Sequence, residues 1–429
     1  MKTRITSSNR QGHTIMLTLV VCLVLGVVLL GVIKLANNEG QMTGRSQNWN
    51  AVLPIVEAGI EEALTHLKHS PSNRTDNNWT YDDSTPVPRY IKTRTFKDGF
   101  YQVTISTNWD PVITSRAGIR APLQTDYSIF RTVRVRCTNM PLFTAAIEAV
   151  QCIDLTGNGI TFNSYDSMDP NFSGPGGTYD PNKVKAGGDV VCYGDGTSID
   201  IGNADIAGKL KTGPDTTYEM GPNASVGDLT WSGTGIQPGY YESVPDTEWP
   251  DMTAPLAGGA PPRGTSGPEK GFDYVLSTGI YRVDTLNGQV YVKGDAILVV
   301  NRTFRMQSCV IIPGARVRLY VFAADATISG VANQNTDALR FMYFGMPSNL
   351  SISISGNSSF CGVLYAPNAI LNMSGGGSDT LDFSGSIVAK CVKVNGHFNF
   401  HFDEALRRFG SRGIFASSWD EITPETTSL

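Results

Sequence analysis

Past residue 143 the chain no longer sustains a helix-length apolar period, and this limits its fold more than any other feature. What recurs instead is a series of short apolar runs, each stopped by Gly, Asn or Asp. Ile160-Thr-Phe162, Ser198-Ile-Asp-Ile201, Gln289-Val-Tyr-Val292, Val317-Arg-Leu-Tyr-Val321 and Cys391-Val-Lys-Val394 are examples. One such turn of chain cannot bury its inward side chains alone. Turns stacked ~4.8 Å apart bury a continuous core and satisfy one another's backbone groups. Gly and Asn suit the corners because they tolerate positive φ. The pattern predicts a mainly β protein whose C-terminal domain, residues 141–408, is a right-handed parallel β-helix, or solenoid. A β-sandwich is the alternative, and it requires longer strands and more hairpin turns.

Charged residues are 17% of the chain, against about 25% in an average globular protein, and Gly fills 45 of 429 positions. Both values disfavour a helical cytosolic enzyme and a long disordered chain. A net charge of −5 gives no footprint for nucleic acid, which requires a dense Lys/Arg surface. Residues 238–268 hold 7 Pro and 5 Gly, which reads as a surface loop interrupting the stack. Phe398, Phe400 and Phe402 alternate with Asn399 and His401, a pattern suited to sealing the last turn. Residues 409–429 read as a flexible tail.

Residues 15–33 contain no charge over 19 positions, about 28 Å as a helix, close to the ~30 Å hydrocarbon core of a bilayer. Lys2, Arg4 and Arg10 precede the run without an acid, which places residues 1–14 in the cytoplasm and the bulk outside it. A cleaved secretory signal is the rival, but its apolar part is usually shorter. The transmembrane helix is assigned to 15–35, followed by an amphipathic helix over 36–69. Its stripe is Val52, Val56, Ile60, Ala63, Leu64 and Leu67, with Glu57, Glu61 and Glu62 beside it. That stripe packs either on its own domain or among copies of itself. A linker at 70–87 leads to a small β module at 88–140, where Tyr101–Ile105 and Phe130–Arg136 alternate apolar and polar. Arg131, Arg134 and Arg136 could form a basic strip there, or simply a solvated strand face.

No constellation carries catalysis. Asn335-Thr336-Asp337 and Gly396-His397 are similar to fragments of polygalacturonase motifs. Cleaving a glycosidic bond requires carboxylates converging on one face, and no adjacent Asp-Asp pair lies between these fragments. His397 and His401 would lie ~13 Å apart on a strand, too far for one metal. Asp166, Asp169 and Asp180 could gather around Ca²⁺ or hold turns. No P-loop, G-x-S-x-G or H-E-x-x-H occurs. The reading is therefore not an enzyme, with no cofactor and no metal. Cys22 lies in the apolar run, and six further cysteines allow fifteen pairings.

Two resemblances add to this. VEAGIEEALTHL at 56–67, which includes Glu57, Ala58, Gly59, Glu61 and Glu62, is similar to a segment behind the membrane helix of pilus-assembly proteins of the PilX kind. Arg10-Gln11-Gly12-His13-Thr14 resembles a prepilin cut site, which falls after a Gly and here implies cleavage between Gly12 and His13. The chain departs from that pattern with His13 where Phe or Met is usual and with Leu17 where major pilins carry Glu. Farther on, Phe162-Asn-Ser-Tyr-Asp-Ser-Met-Asp-Pro170, Phe360-Cys-Gly-Val-Leu-Tyr-Ala-Pro-Asn368, Phe383-Ser-Gly-Ser-Ile-Val-Ala389 and Phe400-His-Phe-Asp-Glu-Ala-Leu406 resemble a bacterial domain family of unknown function found behind pilin-like N-termini. Together they imply a type IV pilus-like accessory protein of structural or adhesive role. It would be single-pass in the bacterial inner membrane, with its N-terminus inside and its bulk extracytoplasmic. The partners implied are the membrane, other pilin-like subunits, and a surface glycan or protein. A pectinase-like β-helix enzyme and a surface scaffold outside any filament are the alternatives.

Overall fold

The computed structural model describes residues 11–69, 74–108, 110–120, 126–157, 159–194, 196–245, 247–334, 337–356, 359–375, 380–410 and 412–422. The protein is mainly β, with one long apolar N-terminal helix. It divides into two compact units. The first comprises Met1–Asn139 with Ile414–Leu429, and the second Met140–Gly413.

In the first unit, helix α1 runs unbroken over Gln11–His69. Its apolar N-terminal half buries nothing against the protein, so Leu17, Leu25 and Leu30 stand bare. Its C-terminal half behaves oppositely. Val52, Val56, Ile60, Ala63 and Leu67 are all buried against a sheet. That sheet contains β1 (Thr80–Asp82), β2 (Arg89–Thr95), β3 (Gly99–Ser106), β4 (Val112–Arg120) and β5 (Tyr127–Met140), each antiparallel to the next. Strand alternation turns Val103, Ile105, Ile113, Ala117, Val133 and Val135 toward the helix. The stripe thus packs on its own domain, the simpler of its two readings. The 70–87 linker reading is corrected in part, because β1 lies inside it and pairs with β2. The flexible-tail reading of 409–429 is corrected over Gly413–Ile422, which is a sixth strand beside β5; residues 423–429 lie outside the described residues. Ile414 joins the helix-side core, and Arg131 holds Glu421 at 2.6 Å. Its Gly and Ser content hid a strand whose partner lies 290 residues away in sequence.

In the second unit every strand ladder described is parallel, which excludes a sandwich built from hairpins. Successive partners lie roughly 20 residues apart, within the range of stacked repeats: Leu298 pairs with Leu319, Leu319 with Tyr343, and Tyr343 with Leu364. The order of turns in space differs from their order in sequence. The first turn, Ile147–Asp154 and Thr161–Tyr165, lies in the middle. From it the chain climbs through Val190–Cys192 and Asp205–Ala207 to Tyr241–Ser243. It then crosses to the far end, resumes at Tyr274–Leu276, and stacks back until Leu381–Val394 and Phe398–Asp403 pair with the first turn.

The crossing segment is the Pro/Gly-rich stretch. It lies along the flank: Tyr365 donates to the Pro250 carbonyl at 2.9 Å, Arg282 to that of Pro255 at 2.6 Å, and Val275 N–H to that of Pro262 at 2.7 Å. The reading of 238–268 as one loop is too broad at its start, since Tyr241–Ser243 is a strand on Leu210–Thr212.

Phe398, Phe400 and Phe402 do not seal an end. Phe400 stacks on Phe162 at 4.7 Å and lies 5.5 Å from Phe383, which itself stacks on Phe360 at 4.8 Å. The last turn in sequence is an interior turn in space. A disulfide from Cys152 to Cys391 crosses the same junction, closing 239 residues of sequence. Removing it with Cys391→Ser should lower unfolding stability by about 2–5 kcal/mol, measured by denaturant titration, because the unfolded chain regains that loop's freedom. Equal midpoints for the variant and the wild type would show that the junction holds without the bond.

Candidate functional site

The segment most distinctive in sequence, 56–67, meets the sheet at a close seam. A Cβ at Gly59 would stand 2.4 Å from Ser115 Oγ and 3.0 Å from the Tyr101 ring, so only glycine admits this approach. One turn on, Glu62 turns to the sheet edge. Lys92 reaches it at 2.8 Å, Arg94 grips it with Nε and Nη2, and Tyr101 donates its hydroxyl. Burial alone would push the Glu62 carboxyl up, but the donors from Arg94, Lys92 and Tyr101 outweigh it and hold it down to about 2. His66 stacks on Trp79 at 4.8 Å just beyond. Of the five motif residues, Gly59 and Glu62 form this seam, whereas Glu57, Ala58 and Glu61 face solvent. Helix α1 also passes through Gly12 and His13.

The other candidates resolve as follows. Arg131 lies on the helix side, over Trp49 at 5.1 Å, away from Arg134 and Arg136, so the three form no single strip. Asp166, Asp169 and Asp180 each accept a backbone N–H two residues ahead, at Met168, Asn171 and Asn182. Within the same loop Lys183 Nζ donates to the carbonyl oxygens of Pro170 and Ser173 at 2.8 Å each. Asp337 caps a short helical turn through the Leu339 N–H; Asn335 and Thr336 lie outside the described residues. His401 is buried, held by Asn163 at 2.8 Å and Asp382 at 3.2 Å under the Tyr179 ring, while the His397 N–H bonds to Gly375. Among the described residues no three His, Cys, Asp or Glu side chains gather as metal ligands. Burial pushes the Cys309 and Cys361 thiols up to about 12 and that of Cys137 to about 11, which makes them poor nucleophiles.

One buried cluster had no signal in the sequence. Arg412 and Glu148 form a fully buried ion pair. Arg412 also donates to the Leu142 carbonyl at 2.9 and 3.1 Å and lies 4.2 Å from the Trp249 ring. Glu148 further accepts from Thr144 N–H at 2.7 Å and from Tyr193 at 3.3 Å. Burial by itself would lower the Arg412 pKa, but the Glu148 carboxylate raises it. The cluster joins the first turn, the crossing segment and the exit of the stack. Its members are up to 270 residues apart, beyond the reach of any local motif.

Residues 264–409 match the family model described as Domain of unknown function (DUF7305). No curated protein and no solved structure matches the chain significantly. The matched stretch begins in the crossing segment and ends after the turn that docks on residues 147–165.

Two outcomes test the seam. Gly59→Val should cost about 1–3 kcal/mol by overpacking, read from the unfolding midpoint. Glu62 has a depressed folded pKa, so its contribution is complete above about pH 4.5 and fades as pH falls toward about 2. Glu62→Gln should therefore be less stable than wild type at pH 7, with the gap narrowing in that acid window; a gap constant from pH 7 to 2 would contradict the assignment.

Proposed function

We propose that the protein is a membrane-anchored, extracytoplasmic structural or adhesive component, a type IV pilus-like accessory subunit that presents a β-solenoid. The observation that carries this reading is the division of α1. Its bare apolar half suits a bilayer or a bundle of like helices, and its other half is the spine of an antiparallel sheet. The motif resemblance at 56–67 supports the same reading, because Gly59 and Glu62 have structural work at that seam. The N-terminus is inside, and the anchor crosses the bacterial inner membrane once.

The parallel stack is read as a right-handed solenoid. Parallel ladders joined by connections that return to the next layer fit that winding, and such connections are right-handed in nearly all sheets. Its flank would present the loop at 163–181 and the crossing segment to a surface glycan or protein. No cofactor takes part.

Co-expression with a prepilin peptidase, followed by N-terminal mass analysis, tests the pilin-like part. Processing should yield a chain starting at His13. An intact Met1 would leave an anchored scaffold outside any filament. The purified chain should release no reducing ends from pectin, and release abolished by Asp337→Asn would replace the adhesive reading with the hydrolytic one.

A further inference from the structure

The sheet of the first unit has one face on α1, and across β2, β3, β4 and β5 its other face carries arginines and no acids. Registers between β2, β3, β4 and β5 set side by side Arg89 and Ser106, then Ile91, Thr104, Thr114 and Arg134, then Thr93, Gln102, Arg116 and Thr132, with Arg136 beside Val112. No Asp or Glu occupies any of these positions. Among the described residues, the arginine of this face that is paired with an acid is Arg89, held by Asp82 at 2.9 Å on the neighbouring edge strand. Arg116 lies over the Phe130 ring at 4.8 Å, with its Nε buried and unbonded. Arg134 and Arg136 line an open groove of about 500 Å³ with Thr104, Ser106 and Thr114.

The helix supplies the opposite pattern. Glu57 and Glu61 are exposed on α1, four residues apart. Like charges at that spacing disfavour an isolated helix. Arg131, which feels the charge of Glu57, is already bound to Glu421 at 2.6 Å and covers Trp49.

We propose that the arginine face of one copy docks on the Glu57/Glu61 face of α1 in a second copy standing beside it in the same membrane. Three features favour this occupant. The first is spacing: Glu57 and Glu61 are separated by ~6 Å along a helix, and Arg134 and Arg136 by ~6.7 Å along a strand, so two ion pairs form in register. The second is height. Gly59 lies against Ser115, and the neighbouring residue Thr114 pairs with Arg134. Arg134 therefore sits at the level of α1 between Glu57 and Glu61. Copies anchored in one membrane with one orientation bring both patches to the same level. The third is distance from lipid. From Leu35 to Val52 the helix rises ~25 Å, several times the ~8 Å screening length, so anionic headgroups are out of reach. The contact is heterologous, since different patches meet, and it propagates as a row rather than closing as a pair. It rests on the anchored reading given above.

The test uses the full chain, labelled with donor or acceptor dyes and reconstituted in phosphatidylcholine vesicles. One variant carries Glu57→Arg and Glu61→Arg, the other Arg134→Glu and Arg136→Glu. Wild-type copies should transfer energy, and less so as salt rises. Each variant alone should associate at least roughly tenfold more weakly, because like charges then meet. Mixing the two variants should restore transfer, since both contacts regain opposite charges. Arg134→Gln with Arg136→Gln should weaken association less than reversal, and it guards against a variant that misfolds. Unchanged association of either reversed variant, or no recovery on mixing, overturns the proposal. So does transfer among wild-type copies only after an anionic polysaccharide is added, which would assign the arginine face to that polymer. Flotation of the same vesicles reports anchoring separately: wild-type chain left unbound removes the anchored reading, whereas bound chain that never associates removes the docking alone.

Discussion

The stacking of the last turn on the first holds the second unit together. Without it the stack would have two raw edges at its centre, at Ile147–Asp154 and at Leu381–Val394, each with unpaired backbone donors and acceptors. The contact is made by continuous parallel hydrogen bonding, by Phe400 against Phe162, and by the Cys152–Cys391 bond. The Asp337 and His397 fragments, which invited a catalytic reading, serve local turns of the same stack.

This junction also bears on the matched family region. Residues 264–409 include the turns from Tyr274–Leu276 to Phe398–Asp403 but omit 147–165, on which the last of them rests. Cut at those bounds, the piece would expose Phe400 and the edge of Leu381–Val394. The compact unit is the longer Met140–Gly413.

The local grammar was legible in the sequence. Short apolar runs with Gly and Asn corners mark strands whatever their neighbours, so the strands at Val317–Val321 and Cys391–Val394 follow from local sequence alone. The stripe at Val52, Val56 and Ile60 fixes which helix face is buried. What was hidden depends on residues far apart. Phe400 in an interior turn and Phe400 in a terminal turn have the same local sequence. Gly413–Ile422 lacks a strong strand pattern because, at the edge of its sheet, most of its side chains stay partly or fully exposed. Glu148 and Arg412 look like ordinary charges until the fold removes water from both and pairs them with each other and with Leu142, Thr144 and Tyr193.

The chain enters and leaves the stack at one place. Arg412 N–H bonds to the Met140 carbonyl at 2.8 Å, and the Leu142 N–H to that of Phe409 at 3.3 Å. A mechanical pull delivered through both connecting strands would load those bonds and the Arg412–Leu142 contacts first. The stacked strands would lie outside the path of the force, so the body could be tugged hard while its parallel ladders stayed closed.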